Sequence, residues 1–216
     1  MKLRDTENIW VLSLFLGVTG VIAGTVLALI SQLTAEPIRQ ANINNELKVL
    51  KELNLPDFDN DMTSKVFTVN GVEYLAATHK GKLAGLVARV QSNTGYSGKM
   101  RALVSFNTGG NILAVQVIEH KETPGLGAEV CERKFQRTIF NLFSPRPAGL
   151  PPNAVLDQFN GKSAADSGNW KITKDGGEFI YRTGATISSR AITEMVNSAG
   201  ANFKAALVHF SGEKEK

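Results

Sequence analysis

Cysteine is almost missing from this chain: Cys131 is the only one in 216 residues. That excludes an intrachain disulfide and any metal or iron–sulfur centre built on several thiolates. Histidine is nearly as scarce. His79, His120 and His209 are the full set, and no two stand close enough in sequence to read as a metal-binding pair, so no metal site is expected. The net charge of +4 comes without a dense Lys/Arg block interleaved with aromatics, which argues against a nucleic-acid partner. Internal repeats and low-complexity tracts are absent as well. Chemistry carried by such a chain would need a borrowed cofactor, held by hydroxyls, glycines and backbone groups.

One further absence is local. The run "IWVLSLFLGVTGVIAGTVLALI", residues 9–30, contains no ionisable residue. Roughly 20 apolar residues span a bilayer core, so this segment is expected to be a transmembrane helix. A cleaved signal peptide is the competing reading, but its apolar region would be only roughly 7–15 residues long. Lys2 and Arg4 precede the run and the next basic residue is Arg39. The positive-inside rule then puts the N-terminus in the cytoplasm and the large domain outside. Trp10 suits a membrane interface. Ser13, Gly17, Gly20, Gly24 and Ala28 recur at spacings of three or four, and Gly20 with Gly24 forms a GxxxG pair that lets another helix approach closely. Glycine is also simply common in membrane helices, so that pair has a plain reading too. With no charge inside it, this helix is not expected to form an ion or proton path by itself.

The remainder reads as an α+β fold: antiparallel hairpins with several helices packed on them. The expected organisation is a cytoplasmic N-terminus at 1–8, the transmembrane helix at 9–30 and a membrane-proximal helix and linker at 31–60. The main domain follows at 61–210, with a tail at 211–216. A helix over 36–53 starts with Pro37 near its N-terminus. "KVFTV", "VEYLAA" and "GKLAGLVARVQ" read as strands, the first two joined by Asn70-Gly71, a strong hairpin signal. "RALVSFN" and "ILAVQVIEH" pair around "TGGN". "AEVCERKFQRTIFNLF" places Val130, Phe135, Ile139, Leu142 and Phe143 at amphipathic-helix spacing. Residues 144–169 read as mostly irregular, "WKITKDGGEFIY" as two short strands. A last helix begins near Ile187, with Ala191, Met195, Ala199, Phe203 and Leu207 recurring every four residues.

Three stretches could carry chemistry. "TGATISSRAI" sets Thr183, Thr186, Ser188 and Ser189 around Gly184-Ala185 at the start of that last helix. From residue types alone it is an N-cap, or else a place where a helix start, its dipole and two serines meet an anion such as phosphate. "HKETPGLGAEV" joins a strand to a helix through Pro124, Gly125 and Gly127. It reads as a rigid turn with Glu122 and Thr123 as polar filler, or as an anion-binding concavity with Leu126 presented to a flat ring. "NTGYSGKMR" is a loop by default, or a wall supplying the Tyr96 ring, the Ser97 hydroxyl and the cations Lys99 and Arg101. Cys131 reads as a packed small residue, and no residue stands out as catalytic.

Together, these three stretches, the single N-terminal apolar helix and the "EPI" that follows it resemble the G subunit of the Rnf electron transport complex. That family shares its FMN-binding domain with the C subunit of the Nqr complex. The resemblance covers essentially the whole chain. It implies covalent FMN, joined as a phosphoester to the last Thr of the [S/T]-G-A-T motif, which "TGAT" places on Thr186. Ile180 stands where that motif usually carries Asp. It also implies a separate Mg-dependent flavin transferase that installs FMN from FAD. Tyr96, Ser97, Glu122, Thr123, Gly125, Leu126 and Gly127 fall in segments that surround the flavin, and Thr183, Gly184, Ala185, Ser188 and Ser189 flank the attachment point. The function so implied is electron relay within a ferredoxin:NAD oxidoreductase coupled to ion translocation. This chain would be a single-pass component of the bacterial inner membrane with its domain on the periplasmic side, touching neighbouring subunits through the Gly20/Gly24 face. An Nqr-type counterpart, a membrane-anchored module binding a phosphorylated ligand without redox chemistry, and a purely structural component are the alternatives.

Overall fold

The computed structural model describes residues 9–64, 66–135 and 149–212. Contacts divide the chain into two units, Met1–Leu47 and Lys48–Lys216. The apolar run lies in helix α1, Ile9–Glu52, which is long and apolar enough to cross a membrane. No separate helix starts at Pro37: α1 continues through it. Proline removes one backbone donor and crowds the preceding turn, but this bends a helix as often as it ends one. Local side chains support this stretch, with Thr34 Oγ1 donating to Ile30 O at 2.8 Å and Arg39 Nε to Glu36 Oε2 at 3.0 Å.

The second unit is built on a five-stranded antiparallel meander in the order β1 to β5: Val66–Val69, Val72–His79, Lys82–Gly95, Gly98–Asn107 and Ile112–Glu119. The expected hairpins are present. Asn70 (φ 48°) and Gly71 (φ 81°) both take the left-handed conformation that a tight two-residue turn requires. Lys80 (φ 48°) and Gly81 (φ 74°) make a second such turn between β2 and β3, where the sequence carries no Asn-Gly signal. "NTGYSGKMR" is not a loop. It is the tip of the β3–β4 hairpin, with Gly95 paired to Gly98 and Tyr96 and Ser97 at the turn.

Both faces of the sheet are buried. Tyr74, Ala76, Leu86, Ala88, Val104 and Phe106 pack with the stripe of α4, Thr186–Gly212, formed by Ala191, Ile192, Met195, Val196, Ala199 and Phe203. On the opposite face Leu75, Ala77, Val87, Leu103 and Ala114 meet Val49, Leu50, Leu53 and Met62. Alternating residues thus enter different cores, which is why the strands read as near-continuous apolar runs. Ser105 Oγ, fully buried, donates to Leu53 O at 2.8 Å and secures the second layer.

Three expected elements differ. The helix placed on "AEVCERKFQRTIFNLF" is only α2, Gly127–Cys131; residues 132–135 are not helical, and Ile139, Leu142 and Phe143 lie outside the described residues. Asn153 explains the stop. Its side-chain Nδ2 donates to the carbonyls of Glu129 and Glu132 at 3.1 and 2.9 Å, taking acceptors that a continuing helix would use. Asn153 also caps α3, Ala154–Asp157, inside the segment expected to be mostly irregular. "WKITKDGGEFIY" holds no strand pair. A single parallel bridge, Ile172 to Phe179, closes around a 3-10 turn at Thr173–Asp175, and residues 180–185 reach α4 as an extended loop and turn.

Candidate functional site

Four segments of the second unit converge on one cavity of about 470 Å³: the β3–β4 tip, the β5–α2 loop, the Thr173–Asp175 turn and the first turn of α4. Each arrives there for a local reason. In the β5–α2 loop, Pro124 and Gly125 (φ 77°) occupy the centre of a turn closed by Leu126 N donating to Thr123 O at 3.2 Å, the Pro-Gly signature of a type II turn. The turn leaves Leu126 46 % exposed. Ahead of α4, Gly184 takes φ 84°, and a Cβ there would come within 3.2 Å of Leu126 Cδ2, so only glycine fits between loop and helix. Gln158 holds the preceding strand-like loop by its side chain, accepting from Ile180 N at 2.6 Å and donating to Ile180 O at 3.1 Å.

Glu122 joins three of these segments. It is 5 % exposed; its Oε1 accepts from Ser97 N at 3.1 Å and its Oε2 from Ser188 Oγ at 2.7 Å. No basic side chain pairs with it among the described residues. Thr94 Oγ1 donates to Glu194 Oε2 at 2.8 Å, a second tie between the hairpin and α4. Behind Glu122 lies Cys131, whose thiol is pushed up to about 12 by burial first and then by the Glu122 and Glu132 carboxylates. A thiol so placed is packing, not a nucleophile.

Ser189 N closes the first helical bond of α4 onto Ala185 O at 2.9 Å. The N–H groups of Thr186, Ile187 and Ser188 therefore precede the ladder, and all three residues line the cavity. A helix start of this kind favours an anion. The four hydroxyls of "TGATISS" separate cleanly. Ser188 is committed to Glu122 and Ser189 Oγ to Ala185 O at 2.9 Å. Thr183 and Thr186 make no hydrogen bond to a described residue, and of these two Thr186 lines the cavity.

Of the residues singled out in the sequence, Tyr96, Glu122, Thr123, Leu126 and Gly127 meet Gly184, Ala185, Thr186 and Ser188 around this space. Ser97, Gly125, Thr183 and Ser189 are not part of its lining: Ser97 contributes through its N–H to Glu122, Gly125 through the turn, and Ser189 faces its own helix. Lys99 and Arg101 do not line it either. Arg101 is paired with Glu119 at 2.7 Å. Two lining residues, Lys174 and Ile187, are not among those the sequence singles out. Spacing puts Ile187 in the core stripe, but at the first turn that stripe faces open space and Ile187 is 43 % exposed.

A meander sheet that closes a hydroxyl- and glycine-lined cavity against the start of a long helix is an FMN-binding domain: residues 95–201 match the family of that description. The chain is 30 % identical over 212 residues to the G subunit of the ion-translocating oxidoreductase complex of Shewanella baltica, covering 92 % of this chain and 89 % of that one. It is 32 % identical to the protein of the same name from Pseudomonas aeruginosa PAO1, over 87 % of this chain and 85 % of that one. With the Pseudoalteromonas atlantica protein the identity is 32 %, over 95 % and 91 %. The chain belongs to this G-subunit family.

Proposed function

We propose that this chain is a membrane-anchored flavoprotein subunit that relays electrons through FMN, within an Rnf-type ferredoxin:NAD oxidoreductase coupled to ion translocation. The relatives' name supplies the complex and the matched domain supplies the cofactor. The single observation that carries the site is Thr186: an unengaged hydroxyl at the head of α4, inside the cavity, with the neighbouring serines committed elsewhere.

The residues fit the group. A volume of about 470 Å³ lies within the roughly 300–1,000 Å³ of small-molecule pockets. Tyr96, Leu126 and Ile187 are large apolar side chains left 69, 46 and 43 % exposed, and all three line this cavity, as a flat ring would require. FMN, when bound, supplies the electron chemistry. The chain's own residues hold it: the α4 N–H groups face the phosphate, Thr186 anchors it, and Thr123 and Leu126 border the ring.

The anchor forms by group transfer. A Mg-dependent flavin transferase brings FAD; the Thr186 oxygen bonds to the FMN phosphorus as the P–O bond to the AMP half breaks, and the hydroxyl proton leaves with AMP. No histidine of this chain lines the cavity, so the base comes with the transferase. The N-terminus is cytoplasmic and the domain periplasmic in this reading. The main domain spans 61–210. The Gly20/Gly24 face, where added Cβ atoms would meet nothing within 4 Å, contacts neighbouring subunits.

The test is intact mass after co-expression with a flavin transferase, followed by peptide mapping. An FMN-sized addition on the tryptic peptide 183–190 is expected, and Thr186→Val should abolish flavin fluorescence on a denaturing gel while the fold persists. Fluorescence that survives the substitution overturns the linkage.

A further inference from the structure

Only two charged side chains line the cavity among the described residues, Glu122 and Lys174, and they sit on opposite sides of the first turn of α4. The Thr173–Asp175 turn that carries Lys174 is tied to the helix by Asp175, which receives Arg190 Nε at 2.7 Å and Nη2 at 2.8 Å. The Arg190 hydrogen bond holds the Asp175 carboxyl below its usual range, so the pair is ionised at neutral pH. At about 100° per residue, Arg190 lies about 40° from Thr186 around the helix, whereas Ser188 lies about 160° from it. Lys174 is thus fastened on the Thr186 side and the Glu122 carboxylate, through Ser188, on the other.

Their states differ as well. Glu122 has both oxygens engaged; Lys174 makes no hydrogen bond or ion pair with a described residue. An anion entering this space is drawn toward Lys174 and Thr186 and repelled from the Glu122 wall. An uncharged ring is left to the Leu126 and Tyr96 end. We propose that Lys174 is the cation that recognises the flavin's phosphate, held on the Thr186 side of α4 by the Asp175–Arg190 pair. The proposal rests on the flavin reading above and adds to it a specificity residue and a direction for the cofactor.

The experiment uses full-length protein produced without a flavin transferase, in detergent, titrated with FMN and with riboflavin, which shares the ring but has no phosphate. Lys174→Gln should weaken FMN binding on the order of fivefold and leave riboflavin binding unchanged. Lys174→Arg should restore most of the loss, and the loss should shrink as salt rises. An unchanged FMN affinity, or an equal loss for both ligands, overturns the proposal. A second readout uses the covalently loaded protein, where the phosphorus NMR resonance of the phosphodiester should move between wild type and Lys174→Gln. A fixed resonance also overturns it. Failure of the broader reading looks different: wild type then gains no FMN mass from the transferase. If it gains FMN mass and the Lys174 variants change nothing, only the Lys174 assignment fails.

Discussion

The two long helices, α1 of 44 residues and α4 of 27, put apolar side chains to opposite uses. In α1 every residue from Ile9 to Asn45 is exposed, with Phe15, Leu16 and Leu33 at 68, 73 and 76 %. The apolar residues point all round the helix, a pattern that suits a surrounding hydrocarbon rather than one neighbour. In α4 they form a stripe, and that stripe is buried against the sheet. The same residue types therefore report on different solvents, and what decides is angular distribution, not content. A third case lies between them. Tyr96, Leu126 and Ile187 belong to the folded unit but remain exposed, and they share one cavity.

The comparison is most severely tested by matched truncations of phenylalanine. Phe203 is 5 % exposed and its ring centre lies 4.9 Å from that of Phe106, so Phe203→Ala should cost about 3–5 kcal/mol. Phe15→Ala should leave the unfolding of the second unit unchanged. Denaturant melts of both full-length variants in detergent, followed by near-ultraviolet circular dichroism, check this. Equal losses would erase the distinction between the helices.

Matched glycines sharpen it at a smaller scale. A Cβ on Gly127 would collide with Glu122 Oε2 and come within 2.7 Å of Ser188 Oγ, whereas one on Gly20 meets nothing within 4 Å. Gly127→Ala should cost about 1–3 kcal/mol by forcing the Glu122 clamp apart, and it should loosen FMN binding in the same titration. Gly20→Ala should change neither stability nor flavin affinity in the isolated protein.

How much of this was legible in the sequence follows from how local each feature is. Asn70-Gly71, the four-residue spacing of Ala191, Met195, Ala199 and Phe203, and the charge-free run at residues 9–30 are determined by neighbours in the chain, and each can be read directly. The helix expected beyond Cys131 fails because Asn153, more than 20 residues away, competes for its carbonyls. Lys174 escapes notice because "WKITKDGG" has strand-like composition, and nothing nearby announces that Asp175 will meet Arg190. The bond between Glu122 and Ser188 spans 66 residues. No periodicity encodes such a contact; only the fold creates it. The motif "TGAT" is legible because strand exit, glycine and helix start are contiguous, yet which of its hydroxyls remains free depends on partners from other segments.

The smallest effect concerns the polar faces of the two helices. On α1 the pair Glu36–Arg39 is local, three residues apart and exposed on both sides, so removing it should leave the second unit untouched. On α4 the Asp175–Arg190 pair links the helix to a distant turn. The Arg190 hydrogen bond lowers the Asp175 pKa from its ordinary 3.8 in the folded protein. A depressed folded pKa means that the unfolded chain takes up the proton first as pH falls. The pair's contribution is therefore complete above 3.8 and disappears as pH drops through the lower folded value. Asp175→Asn should lower the melting temperature slightly at neutral pH, and the gap from wild type should close in strong acid. Because both side chains are solvent-facing, added salt should narrow the gap at neutral pH too. A gap that is independent of pH would mean that Asp175 acts through packing or hydrogen bonding alone, and the electrostatic tether on the Lys174 turn would have to be abandoned.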